Sequence, residues 1–108
     1  MSSIRKDDSH YTEVEAGQEV YCYQVPGNGK EWILEEFIAD APSSSDGWVA
    51  LIWDYDGTQE LIRASYTSVE RKLSRTIVGD GVKKLALVLH NKGDSSLVMG
   101  GEYKAKEI

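Results

Sequence analysis

Apolar and polar side chains alternate with a period near two along most of this chain, as they do in strands with one face buried. Turn residues interrupt the alternation at Ala16-Gly17, Pro26-Gly27-Asn28-Gly29, Ala41 to Gly47, Asp56-Gly57, Gly79-Asp80-Gly81 and Lys92 to Ser95. The pattern predicts about eight strands: a weak one at Tyr11 to Glu15, then Glu19 to Val25, Lys30 to Asp40, Gly47 to Asp54, Thr58 to Tyr66, Val69 to Val78, Val82 to Asn91 and Ser95 to Glu107. The Asp56-Gly57 pair between two apolar runs predicts a hairpin, with the glycine supplying a positive φ. Leu85, Leu87 and Leu89 share one face of a run whose other face holds Lys84, Ala86, Val88 and His90, which reads as a central strand. In Lys30 to Asp40, strict alternation puts Trp32, Leu34 and Ile38 on one face and Ile33, Phe37 and Ala39 on the other. Apolar groups on both faces call for a bulge or an interface there. Only Ser68 to Arg75 could start as a helix, and its two apolar side chains, Val69 and Leu73, support no more than one turn.

Short strands with glycine-rich links favour an all-β fold: a two-sheet antiparallel β-sandwich of jelly-roll topology, with an immunoglobulin-like sandwich as the alternative. Residues 1–10 read as a flexible polar N-terminal arm and 11–108 as the single sandwich domain. A chain of 108 residues buries enough surface for one core without metal or disulfide support. Cys22 is the one cysteine, so no internal disulfide and no multi-cysteine zinc site can form. The longest apolar run, Trp48 to Trp53, is far shorter than the roughly 20 residues of a spanning helix. No membrane partner is expected. With no apolar segment behind the charged start, no secretory signal is expected either, and synthesis in a cytoplasm is the default.

The net charge of −6 argues against a nucleic-acid partner, because phosphate neutralisation needs a basic face. Charge is unevenly spread: residues 1–60 carry three basic and thirteen acidic side chains, residues 61–108 nine and five. Either the halves segregate in space and favour head-to-tail contacts, or interleaved strands mix them.

Chemistry-bearing residues are sparse. His10 and His90 have no ligand partners at zinc spacing, and His90 sits at a strand end beside a turn. Cys22, between Tyr21 and Tyr23, reads as a packed side chain, and no nucleophile elbow occurs. Glu35-Glu36 and Asp54/Asp56 are the obvious carboxylate pairs, yet nothing selects them, and adjacent Glu35 and Glu36 would point to opposite faces of a strand. Asp54-x-Asp56-Gly57 resembles the opening of a calcium loop but lacks its later ligands, and Asp80 reads as a turn residue. The chain is therefore expected to be no enzyme and to hold no cofactor or metal.

The later strands carry Arg71, Lys72, Arg75, Lys83, Lys84, Lys104 and Lys106, which suit either an acidic partner or protected sheet edges. Three tryptophans and six tyrosines suit sugar stacking or interface anchoring. Trp48 and Trp53, five apart, face opposite sides of a regular strand, so one belongs to the core and the other needs another explanation. Trp32 shares a face with Leu34 and reads as core. The candidate interface residues are Trp48, Trp53, Tyr55, Arg71 and Arg75.

The block Asp46-Gly47-Trp48-Val49-Ala50-Leu51-Ile52-Trp53-Asp54-Tyr55-Asp56-Gly57-Thr58-Gln59-Glu60-Leu61, the run Arg75 to Leu89 with Val78-Gly79-Asp80-Gly81-Val82 at its centre, and Ser95 to Tyr103 with Met99-Gly100-Gly101 complete the reading. Over residues 14–108 this pattern resembles small jelly-roll virion structural proteins of tailed bacteriophages. The resemblance implies a structural or binding role in a virion, most concretely as a head decoration or cement protein. Its partners would be capsid or other virion proteins, and trimers near symmetry axes are common in that class. The alternative it leaves open is a glycan-binding or receptor-binding module of a tail or fibre. It carries no active-site residues over to this chain.

Overall fold

The computed structural model describes residues 3–41, 45–65 and 69–108, without the side chains of Val69 and Glu70. Among the described residues there are nine strands and no helix: β1 (Ile4–Arg5), β2 (Asp8–Val14), β3 (Glu19–Gln24), β4 (Glu31–Asp40), β5 (Gly47–Trp53), β6 (Gln59–Ala64), β7 (Val69–Val78), β8 (Leu85–Asn91) and β9 (Leu97–Glu107). Most boundaries lie within a few residues of the alternation pattern. Ser68 and Tyr66 lie outside the described residues, and Val69 to Arg75 is strand.

One sheet has the order β1-β9-β4-β7 with β2 also on β9, and the other has the order β3-β8-β5-β6. All pairings are antiparallel. β1 and β2 together make one interrupted first strand, so the chain pairs first with last, second with next to last, and inward to the β5–β6 hairpin. That is a long hairpin rolled over until β9 meets β4 and β8 meets β5, a jelly roll. As the leucine pattern of its sequence predicts, β8 is a central strand, between β3 and β5.

The segment read as an N-terminal arm is strand as far as it is described. Ile4 and Arg5 pair with Glu107 and Lys106, and Asp8 to His10 pair with Tyr103 to Gly101. At the interruption the Asp7 carboxylate accepts the Ala105 N–H at 2.9 Å and pairs with Arg5 at 2.6 Å. A polar sequence gives no sign of this, because an edge strand needs only backbone partners on β9 and one face that tolerates water.

The inner faces enclose Val14, Trp32, Leu34, Phe37, Val49, Leu51, Trp53, Ile77, Leu85, Leu87, Leu89, Met99 and Tyr103. In β4 the register slips between Leu34 and Glu36 against both neighbours. This bulge resolves the two-faced apolar pattern: Trp32 and Leu34 face inward before it, Phe37 and Ala39 after it, and Ile38 is left half-buried on the outside. It also corrects the expectation for Glu35 and Glu36. Both lie on the outer side, where Glu35 bonds Arg5 and Lys106, and Glu36, buried, bonds Lys72 and Lys104.

The β5–β6 hairpin forms, but its positive φ falls on Asp54 (53°) and Thr58 (63°) and not on Gly57. Asp54 C=O accepts N–H groups from both Gly57 and Thr58. A Cβ at Gly57 would sit 2.6 Å from the Asp54 carboxylate, which would have to turn aside for any larger residue.

Candidate docking face

The outer face of the β3-β8-β5-β6 sheet is built from three cross-strand rows. Glu19, His90 and Trp48 form the first, Tyr21, Val88, Ala50 and Arg63 the second, and Tyr23, Ala86, Ile52 and Glu60 the third. The central strands β8 and β5 supply small or branched side chains, and Ala50, Ala86 and Val88 are fully buried although they point away from the core. Trp48 of β5 and Tyr55 of the hairpin pack against them, and Tyr21 and Tyr23 lie beside Val88 and Ala86 in the cross-strand rows.

Tyr21 lies 6.0 Å from Tyr23 in a stacked arrangement and 4.8 Å from Tyr55, centroid to centroid. Lys84 Nζ stands 4.9 Å over the Tyr23 ring and 3.5 Å from Asp56. The Tyr55 N–H donates to Lys84 C=O, and its hydroxyl donates to Glu19 Oε1 at 3.0 Å. Burial, the Glu19 hydrogen bond and the Glu19 charge together push the Tyr55 hydroxyl up to about 12, so it stays a donor in neutral solution. Trp48 stacks on His90 at 5.0 Å and carries Arg63 at 3.8 Å over its ring. His90 Nδ1 lies 3.2 Å from Glu19 Oε2 but is not aligned for a hydrogen bond. Tyr21 and Tyr23 remain 45% and 47% exposed, so the face presents ring surface to solvent.

The five residues nominated from sequence do not converge. Trp48 and Tyr55 lie half-buried on this face. Trp53 is 7% exposed in the core, which removes it from any surface site and makes it the tryptophan that the alternation assigns to the interior. Arg71 and Arg75 are exposed on β7, at the edge of the other sheet. The residues the nomination missed are Tyr21, Tyr23, Glu19, Arg63 and Lys84. The signal was present: a Tyr-x-Tyr spacing puts both rings on one face, and the Ala86/Val88 side of β8 is too apolar for bare solvent.

Other candidate chemistry resolves into structure. Asp80 accepts N–H groups from Val82 and Lys83 at 2.8 Å, and these backbone hydrogen bonds hold its carboxyl below the usual range. Cys22 points inward toward the core, and burial, then the Asp8 carboxylate, push its thiol up to about 11. Asn91, fully buried, donates to Val14 and Ser95 carbonyls and accepts from Gly93 N–H. Among the described residues, no three His, Cys, Asp or Glu side chains gather as a metal site. Among the described residues, no helix is long and apolar enough to cross a membrane.

These features define a jelly-roll β-sandwich with an aromatic outer face. No protein-family model and no curated protein matches the chain. Among solved structures it is similar to the Yersinia pseudotuberculosis-derived mitogen, at 12% identity and a TM-score of 0.58, over 94% of this chain and 86% of that one. It is also similar to dimeric latent PorU from Porphyromonas gingivalis, at 12% identity and a TM-score of 0.47. That match covers 98% of this chain but only 13% of PorU. A third similar structure is the Drosophila NLP core, at 6% identity and a TM-score of 0.44, over 96% of this chain and 98% of that one. At 12% identity the likeness to the mitogen is one of fold alone.

Proposed function

We propose that this protein is a non-enzymatic accessory component of a tailed-bacteriophage virion, a head decoration or cement protein that docks on shell subunits. It would be made in the host cytoplasm and carried on the particle. The observation that carries a docking role is the half-exposed cluster of Tyr21, Tyr23 and Tyr55 rings beside a dry floor of Ala50, Ala86 and Val88. Interfaces anchor on such aromatics, and a rim of Glu19, Asp56, Arg63 and Lys84 adds polar complementarity. The virion assignment itself draws on the sequence resemblance over residues 14–108; the similar solved structures contribute only the fold. Repetition over a shell would turn a modest contact into durable binding.

The test is co-sedimentation of the Tyr21→Ser/Tyr23→Ser variant with purified shells. Neither ring belongs to the inner core, so the fold is expected to persist, while occupancy falls at least about tenfold if these are anchor residues. Unchanged occupancy refutes the docking face. The same stacked pair also favours a second reading, a carbohydrate platform, because ring faces stack on sugars. A glycan array hit that disappears in the double variant would replace the shell with a glycan as the partner.

A further inference from the structure

The two flanks of the sandwich carry opposite charge and have open hydrogen-bonding edges. β2 and β3 lie on one flank, in contact with each other, and the strand orders put β7 and β6 on the other. From Asp8 to Gln24 the chain has four carboxylates, Asp8, Glu13, Glu15 and Glu19, and no lysine or arginine. From Gln59 to Val78, the span of β6 and β7, it has Arg63, Arg71, Lys72 and Arg75 against Glu60 and Glu70. Internal pairing uses Arg63 for Glu60 and Lys72 for Glu36, and the contrast rests on the charges that remain. Glu60 of β6 is neutralised by Arg63 at 2.6 Å, while Glu13 and Glu15 on one flank and Arg71 and Arg75 on the other are exposed, with no ion pair among the described residues. Interleaved strands thus mix the acidic and basic halves of the sequence at the centre of each sheet and separate them at the edges.

Strand direction adds an independent constraint. β2 is antiparallel to β9, β9 to β4 and β4 to β7, so β2 and β7 run in opposite directions. Through β8 and β5 the same holds for β3 and β6. A second copy displaced sideways, without rotation, brings its β2 beside β7 and its β3 beside β6 as antiparallel neighbours, continuing the alternation in both sheets.

We propose that the chain associates head to tail with copies of itself, the acidic β2/β3 flank of one docking on the basic β7/β6 flank of the next. Like charges oppose the two symmetric alternatives, β2 on β2 and β7 on β7, and opposite charges favour the heterologous one. Such a contact closes into a ring, a trimer among the options, or extends as a filament, according to the rotation between copies. The flanks share Glu19 and Arg63 with the rim of the aromatic face, but Glu13, Glu15, Arg71 and Arg75 lie outside it, so the proposal stands without the docking role.

The experiment is sedimentation velocity on the full chain across protein concentration and salt. Association that grows with concentration is expected, weakened about tenfold or more between about 50 and about 500 mM salt. Arg71→Glu/Arg75→Glu and Glu13→Lys/Glu15→Lys, each folded by circular dichroism, should each be monomeric alone. Mixed in equal amounts they should associate again, since one has two acidic flanks and the other two basic ones. Hydrogen exchange on the unmodified chain should show β2 and β7 amides slowing as it associates. A wild-type chain that stays monomeric at low salt and high concentration overturns the proposal. So does association that neither reversal weakens, or a mixture that stays monomeric.

Discussion

At the scale of single residues, Asn91 is where polarity and burial are most tightly coupled. Its side chain is fully buried at the end of β8 and serves two carbonyls and one N–H, those of Val14, Ser95 and Gly93. It thereby ties the end of β2 to the turn that leads into β9. Alanine removes all three bonds and takes from the Val14 carbonyl its side-chain donor in a buried place, while the Gly93 N–H keeps the Asp46 carbonyl. Asn91→Ala is expected to cost about 3 kcal/mol in a urea titration, and a loss within about 0.5 kcal/mol would refute the account. Glu36 shows the opposite solution on the outer face, a buried carboxylate set between Lys72 and Lys104 at 3.3 Å each.

At the scale of elements, the β5–β6 hairpin shows how strain positions a side chain. Asp accepts the left-handed region comparatively easily, but Thr58 is β-branched and pays for its φ of 63°. The turn that results carries Tyr55 back over the sheet, where it meets Tyr21 and Glu19. Thr58→Gly is expected to relieve this strain and raise stability by about 1 kcal/mol, with Tyr55 kept in place. A thermal melt of the variant checks it, and a clear loss of stability would show that the threonine is not strained. The bulge in β4 acts on the same scale: a one-residue slip between Leu34 and Glu36 exchanges which side chains reach the core.

For the whole molecule, burial of three weak acids sets an alkaline limit. Burial chiefly raises the Cys22 thiol from 9.0 to about 11 and the Tyr55 hydroxyl from 10.0 to about 12, and it raises Tyr103 further still against a favourable bond from Gln24. In the unfolded chain these groups ionise first, so their contribution is complete below about pH 9 and is lost as pH rises through 11 and 12. The melting temperature is expected to be flat from neutral pH to about 9 and then to fall, and a rise above pH 10 would contradict the assignment of these groups to buried sites.

Much of the fold was legible along the chain because side-chain alternation and turn residues are local properties. The Leu85, Leu87, Leu89 series marked a central strand, and the Asp-Gly pair marked the hairpin even though the positive φ fell elsewhere. The docking face was half legible. Trp48 and Tyr55 stood out as aromatics, and the Tyr21-x-Tyr23 spacing put two rings on one face, but the meeting of Tyr21 with Tyr55 depended on strand order. The amino-acid sequence by itself determined the strand segments, the all-β class, the uneven charge and the two-faced apolar pattern of Lys30 to Asp40 that a bulge or an interface could answer. Tertiary structure alone decided where that bulge falls, that Trp53 is core and Trp48 surface, that polar Asp8 to His10 is strand, and that charge separates at the flanks. The reason is that these depend on register and strand order, which arise from contacts between segments distant in sequence and leave no local periodicity to read.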